Sequence, residues 1–425
     1  MKSKTPELCV IGGGAAGLAA AVEAARAFRQ AGIPGGVTVL EQLPRVGKKL
    51  LATGNGRCNL TNRRASPADY FEAVDFVRPA MERFSVDDTL AFFASMGLLC
   101  EEEEEGRIYP MSRQAASVLD ALRLEAERLG VIVQCDTQAE DLQSTAPKGA
   151  GPFFRINGAL PADAVILACG GKASPQHGSD GSGYGLLRAL HIPVTEVFPS
   201  LVQITTEPKR VKALKGMRVH AEISLPRGGK RSRPSAVKSN SQSLGLSGIA
   251  AMQLSRFVSL EKGRRMEAVL DLLPAFSHGQ AADYLAGRIR HNPELAAEHL
   301  LTGLLPKRVG QVLLKQAGID LLSRPIGSLQ KAEIGAVAGL LKGWRFPATG
   351  TRGFSAAQVT IGGAQRAAFQ PETMEALSQP GFYAAGEVLD VDAGCGGFNL
   401  QWAWSSGRLA GRSAAQKLIK GQAAG

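Results

Sequence analysis

The stretch that decides the fold is "ELCVIGGGAAGLAAAVEAARAFRQ", residues 7–30. It opens with an apolar strand, Leu8 to Ile11, turns on glycines and continues as an alanine-rich helix. Gly12, Gly14 and Gly17 fit the spacing G-x-G-x-x-G. In that pattern the first glycine permits the tight turn, the second lets a pyrophosphate approach the backbone, and the third lets the helix press on the strand. The first helical turn, with Ala15 and Ala16, offers unpaired N–H groups and a positive dipole end to phosphates. A second strand, "VTVLE", ends in Glu41, 24 residues past Gly17. That is close to the spacing of an acid that accepts hydrogen bonds from a free ribose. The unit therefore predicts a Rossmann-type α/β domain holding the adenosine half of FAD or NAD.

Working outward, three cues favour FAD. The second strand runs into "QLPRVGKKLLATGNGRCNLTN" (42–62), a basic, Gly-rich excursion rather than another βα unit. Gln42, Arg45, Lys48 and Lys49 are candidates to face the cofactor and its phosphates, and Thr53, Gly54, Asn55, Arg57 and Asn59 to contact flavin or substrate. Next, "ADAVILACGGKASP" (162–175) is an apolar strand running through Ala168 and Cys169 into Gly170-Gly171. Two-dinucleotide flavoproteins carry such a turn near the end of the first half of their FAD domain. The last cue is "GFYAAGEVLDVDAGCGGFNLQWAWSSGRLAGRSAAQ" (381–416). Here Gly386-Glu387 stands where FAD domains have a Gly-Asp that binds the ribityl chain. Gly396, Gly397, Phe398, Asn399 and Leu400 lead into a helix whose positive end faces the flavin N1–C2=O edge. No second G-x-G-x-x-G follows a strand, so NAD(P)H is expected as a transient hydride donor without a domain of its own.

The order of these cues sets the architecture. The FAD domain is expected over 1–198 and 350–425, with an insertion between. The insertion reads as β-rich over 199–274, with alternation and hairpin turns, and helical over 275–349. The chain has 425 residues, 44% apolar and 20% charged, as in soluble globular proteins. It contains no uninterrupted apolar run long enough for a membrane span, and its N-terminus lacks signal-peptide character. A cytoplasmic protein is expected. Six scattered cysteines form no C-x-x-C pair, which argues against zinc and a redox dithiol, and no metal is expected.

The motifs "VIGGGAAGLAAA", "GNGRCNLTN", "ILACGGKASPQHGSDGSGYG", "VTIGGA" and "AGEVLDVDAGCGGFNLQWAWSSG" together resemble the BaiN/RdsA family of NAD(P)/FAD-dependent oxidoreductases. The resemblance covers nearly the whole chain. It implies a glutathione-reductase-like FAD domain interrupted by a β-barrel-like and a helical subdomain. It also implies reduction of a C=C bond conjugated to a carbonyl, in a bile-acid enone or in a uridine of ribosomal RNA. The chain departs from the family after "TIGG", where "AQRAAFQ" replaces Val and a nearby Glu.

Such a reduction needs an acid for the α carbon. Cys58, in the pliable loop, is one candidate, with Arg57 beside it to stabilise a thiolate or an enolate. A wall of the flavin pocket is the other reading of Cys58. Cys395 and His177 are further candidates, and Tyr184 is comparable to His177. Trp402 and Trp404 are read as helix-packing residues, and "EEEEEGRIYP" (101–110) as a solvated turn.

Net charge is +11 and unevenly spread. Between Thr205 and Lys238 ten basic residues face two acids, a local excess of +8. Lys209, Arg210, Arg227, Lys230, Arg231 and Arg233 are the candidates for an anionic partner, and ribosomal RNA is the leaning. A small enone, an amine-oxidase activity, and a non-catalytic flavin-containing RNA-binding factor stand as alternatives.

Overall fold

The structure, a computed structural model, describes residues 5–144, 154–227, 230–231, 235–242, 245–261, 263 and 265–423. The chain divides into residues 1–199 with 358–425, and residues 200–357.

In the first unit, β1 (Glu7–Ile11) is followed by α1 (Ala15–Gln30) and β2 (Gly36–Leu40). Three further strands, β3 (Ile132–Gln134), β4 (Ala164–Leu167) and β5 (Phe382–Ala384), complete a sheet of order β5-β4-β1-β2-β3. All four pairings are parallel: Cys9 lies opposite both Thr38 and Val165, Ile166 opposite Tyr383, and Val39 opposite Val133. The inner strands are near-continuous apolar runs because both faces of a parallel sheet are covered. One cover is α1, which is buried over most of its length. Another is α2 (Phe398–Ala423), which lies along α1.

The two helices meet backbone to backbone. A Cβ on Gly407 would overlap the carbonyl oxygen of Ala16, and one on Gly411 that of Ala20. The seam also holds a buried charge cluster. Arg408 Nε donates to Glu23 Oε2 at 2.9 Å, and Arg412 ion-pairs with the same carboxylate. A side sheet of Thr61–Asn62, Arg107–Pro110 and Cys100–Glu102 carries the segment after the Gly-rich loop. The acidic run forms a comb of ion pairs there, not a bare solvated turn. Glu101 pairs with Arg113, Glu102 with Arg63, Glu103 with Arg57 and Arg113, and Glu105 with Arg107.

The second unit moves one expected boundary. Its main sheet runs Trp344–Ala348, Met266–Asp271, Arg218–Ser224, Ser235–Gln242, Gly245–Ser247, Ile204–Thr205, Gly350–Thr351. The first and last strands are one stretch of chain interrupted at Thr349, whose N–H donates to Thr205 O at 2.9 Å. The sheet therefore returns on itself, as a barrel does. Residues 344–351 were expected partly in the helical segment and partly in the resumed FAD domain; they are strands of the insertion. The alternation of buried Trp344 and Phe346 with exposed Arg345 is the reason. The first unit accordingly resumes at 358, not 350. The β-rich and helical parts of the insertion are packed together. Ala268, Leu270 and Phe346 from the sheet share one apolar core with Leu285, Leu313 and Leu341 from the helices.

Among the described residues no helix is long and apolar enough to cross a membrane. Arg233 lies outside the described residues, as do the side chains of Arg210, Arg227, Lys230 and Arg231. Lys209, Lys212, Lys215 and Arg218 are exposed.

Candidate active site

Parallel strands end together, so the residues leaving their carboxyl ends form one row. Gly12 N–H donates to Leu40 O at 2.8 Å, Ala168 N–H to Ile11 O at 2.8 Å, and Ala385 N–H to Leu167 O at 3.0 Å. Glu41 N–H continues the row to Gln134 O at 2.9 Å. The glycine turn, the ribose acid, the Gly-Gly turn and the Gly-Glu turn thus occupy one edge of the sheet. Ligands of doubly wound folds bind outside that edge.

The glycine turn is shaped for a dinucleotide. Gly12 has φ +108° and would press a Cβ to 2.6 Å from Ala168 O. Gly14 differs: nothing lies within 4 Å of where its Cβ would stand. That gap is the approach a pyrophosphate requires. Glu41 Oε2 accepts from Gly13 N–H and Oε1 from Leu43 N–H, both at 2.9 Å. Burial pushes the Glu41 carboxyl above its ordinary value, opposed by the amides of Leu43, Gly13 and Gln42. With three amides on its four lone-pair sites, the carboxylate keeps one site for a ribose hydroxyl.

The basic residues divide. Arg45 is exposed. Lys49 Nζ does not stand free toward phosphates; it pairs with Glu387 Oε2 at 2.5 Å and lies 3.4 Å from Ser179 Oγ. Gln42 Nε2 donates to Gly178 O at 2.8 Å, tying the second strand's exit to the loop after Gly170-Gly171. His177 sits in that loop, its value lowered by burial and then by the charges of Lys48 and Lys49. Cys169 packs its sulfur under Gly183.

The Gly-rich loop and the C-terminal block meet. Trp404 Nε1 donates to Leu60 O at 2.9 Å, Thr61 Oγ1 to Gln401 Oε1 at 2.6 Å, and Asn62 Nδ2 to Gly396 O at 2.9 Å. Asn399 braces the turn before α2, its Oδ1 accepting from Ala393 N–H and its Nδ2 donating to Ala393 O and Gly394 O. Phe398 O accepts from the Tyr70 hydroxyl at 2.8 Å. Trp402 and Trp404 are packing residues, buried against Tyr70, Phe76 and Phe93, as read. Gln401 was missed. It is fully buried and donates to Thr89 and Ser405 while accepting from Thr61. A lone Gln between two Trp on a buried face was its only signal. Thr360 was missed too, inside an apolar strand.

Of the acid candidates, Cys58 is enclosed by its own chain at 0% exposure and joins the apolar core. Burial pushes its thiol up to about 12, against a hydrogen bond from Thr53. Its neighbour Arg57 turns to Glu103 at 3.4 Å and stacks 4.5 Å over the Tyr109 ring. Cys395 is half-buried in the loop before α2. Burial holds its thiol near 11, opposed by the charge of Arg107.

Orphaned polar atoms test the fit of a cofactor. Among the described residues of this unit, the buried side-chain atoms without a partner are Asn59 Oδ1, His177 Nδ1 and the Tyr184 hydroxyl. Asn59 is in the Gly-rich loop; His177 and Tyr184 follow the Gly-Gly turn. Unsatisfied groups of this kind require an explanation, and a polar ligand along this edge supplies one. With the gap at Gly14, they fit FAD. The residues that would hold it are the glycine turn and Glu41 for the adenosine and pyrophosphate, and Glu387 with the 396–400 amides for the ribityl and flavin.

Comparison with known proteins agrees. The model of the HI0933-like protein Rossmann domain matches residues 6–413. A 3-dehydro-bile acid delta(4,6)-reductase from Clostridium scindens is 38% identical over 412 residues, 96% of this chain and 98% of the relative. A ribosomal RNA dihydrouridine synthase from Haemophilus influenzae is 28% identical, covering 95% of this chain and 97% of the relative. The synthase of the same name from Escherichia coli is 28% identical, covering 93% and 95%. The chain therefore belongs to the HI0933-like, BaiN/RdsA-type family of Rossmann-fold FAD oxidoreductases.

Proposed function

We propose that the protein uses FAD and NAD(P)H to saturate a C=C bond conjugated to a carbonyl, and that its substrate is a uracil base in ribosomal RNA. The observation that carries the choice of substrate is the exposed basic run of Lys209, Lys212, Lys215 and Arg218, with no acid between them in the sequence. Such a run binds phosphates through counterion release, and a steroid-like enone gives no reason for it. A cytoplasmic location goes with this reading.

FAD bound at the strand edge supplies the hydride chemistry at the β carbon. The chain's own part is to hold the substrate and deliver a proton to the α carbon. Cys395 is the donor this reading assigns. Its thiol is half-buried, protonated at neutral pH, and carried on the loop that leads into α2. The amides at the start of α2 stabilise negative charge that develops nearby. In this reading Cys58, fully buried, shapes the loop instead.

A second reading, a small-molecule enone reductase, is favoured by the 38% identity to the bile-acid enzyme. One anaerobic experiment separates the two. The reduced holoenzyme is mixed with unmodified ribosomal RNA, with a 4-en-3-one steroid, or with air. Fastest reoxidation by RNA is expected. Faster reoxidation by the steroid transfers the assignment to the second reading, and reoxidation by air alone points to an oxidase.

A further inference from the structure

The strand Val359–Ile361 carries a threonine that the cofactor motifs do not include. Thr360 is fully buried. Its Oγ1 accepts from Lys172 N–H at 2.8 Å and from Ala173 N–H at 2.9 Å. A hydroxyl has two lone pairs and one hydrogen. With both lone pairs engaged, the hydrogen goes to the remaining neighbour, Glu387 Oε1 at 2.9 Å. The Thr360 backbone N–H donates to the same oxygen at 2.9 Å. Lys49 Nζ holds the other oxygen at 2.5 Å. Glu387 is thus clamped on both sides, with one lone pair of Oε2 left to offer.

Gly171 belongs to the same device. A Cβ there would stand 2.7 Å from Thr360 Cβ and 3.0 Å from Glu387 Oε1. The second glycine of the Gly-Gly turn therefore makes room for this clamp, where the sequence had pointed to cofactor contact. The clamp also answers the longer side chain. Glu387 stands where an Asp is usual, and its extra methylene adds a rotatable bond. Two donors from Thr360 and one from Lys49 remove that freedom.

We infer that Thr360 is a positioning residue for FAD: it aims Glu387, and Lys49 supplies the second arm. The inference rests on the FAD site alone, so it stands or falls apart from the choice of substrate. The test is the FAD dissociation constant, read by flavin fluorescence on the full-length chain after the cofactor is stripped. Thr360→Val weakens FAD binding by about tenfold, the range of a hydrogen bond to a charged group, and Thr360→Ser restores it to within about threefold. On a Glu387→Ala background, Thr360→Val changes the constant by less than about twofold, because a positioning residue acts only through its target. Melting of the stripped variants is recorded alongside, so that loss of fold is not read as loss of affinity. An equal penalty with and without Glu387 makes Thr360 a structural residue and overturns the inference. So does wild-type affinity in folded Thr360→Val. If the parent chain binds no FAD, the cofactor assignment itself fails.

Discussion

The contact between α1 and α2 offers a prediction whose sign is set by competing terms. In Gly411→Ala, helix propensity favours alanine by about 1 kcal/mol at an unconstrained helical site. Here the new methyl would overlap Ala20 O and stand 2.9 Å from the Ala20 carbonyl carbon. The obstacle is main chain on both sides, so no rotamer change relieves it. Overpacking of this kind costs about 1–3 kcal/mol. Propensity offsets about 1 kcal/mol of that penalty, so a net loss of up to about 2 kcal/mol is expected, or up to roughly 8 °C in melting temperature for a body of this size. Gly407→Ala meets Ala16 in the same way, one turn from the glycine loop, and additionally weakens FAD binding. The control lies on the same helix: nothing lies within 4 Å of a Cβ on Gly421, so Gly421→Ala is neutral or slightly stabilising. Differential scanning calorimetry of the three variants decides the matter. If Gly411→Ala melts no lower than Gly421→Ala, the backbone-to-backbone seam is not what joins these helices.

Three further outcomes follow from the same geometry. Glu23→Ala leaves Arg408 buried beside Phe84 without its carboxylate, and urea denaturation should show a loss of about 3–5 kcal/mol, with Glu23→Leu/Arg408→Met regaining most of it. Cys9, Cys58 and Cys169 are held up to about 12 by burial, against an ordinary 9.0. Their thiols ionise in the unfolded chain first, so stability falls as pH rises from about 9 toward 12, and Cys58→Ala should flatten that slope in chemical denaturation. Reversing Lys209, Lys212, Lys215 and Arg218 to Glu should lower RNA affinity and reduce the slope of log affinity against log salt by roughly one per lost phosphate contact, with FAD content unchanged; an unaltered slope removes RNA from the proposal.

How much of this was legible beforehand depended on the range of the interactions. The glycine turn, Glu41, the Gly-Gly turn and Gly386-Glu387 were readable because each is a local pattern with a local physical cause, and the parallel sheet then sets them in one row. The strand Trp344–Thr351 was misassigned because its partners are about 75 and 145 residues earlier; closure of a sheet is a pairing, and single-segment periodicity carries no record of it. Lys49 illustrates the same limit. A lysine after a nucleotide-binding strand reads as a phosphate ligand, yet its partner Glu387 comes 338 residues later.

The loop "GNGRCNLTN" shows how a conspicuous residue misleads. A thiol among glycines and asparagines looks exposed by composition. Its backbone explains why it is not. Gly54, Asn55, Gly56 and Cys58 all have φ between +56° and +84°. The chain therefore coils left-handed and turns the Cys58 side chain inward, while Cys58 N–H closes the coil on Thr53 O at 3.0 Å. Glycine and asparagine are the residues that tolerate this conformation, so they are there for the coil. A small, weakly polar side chain then fits the enclosed position better than a charged one. Cys58→Ser tests that account: a hydroxyl with no partner at that depth should cost about 1–3 kcal/mol, whereas Cys58→Ala should cost less. If serine is tolerated as well as alanine, the site is wet, and a proton-donating role for Cys58 returns.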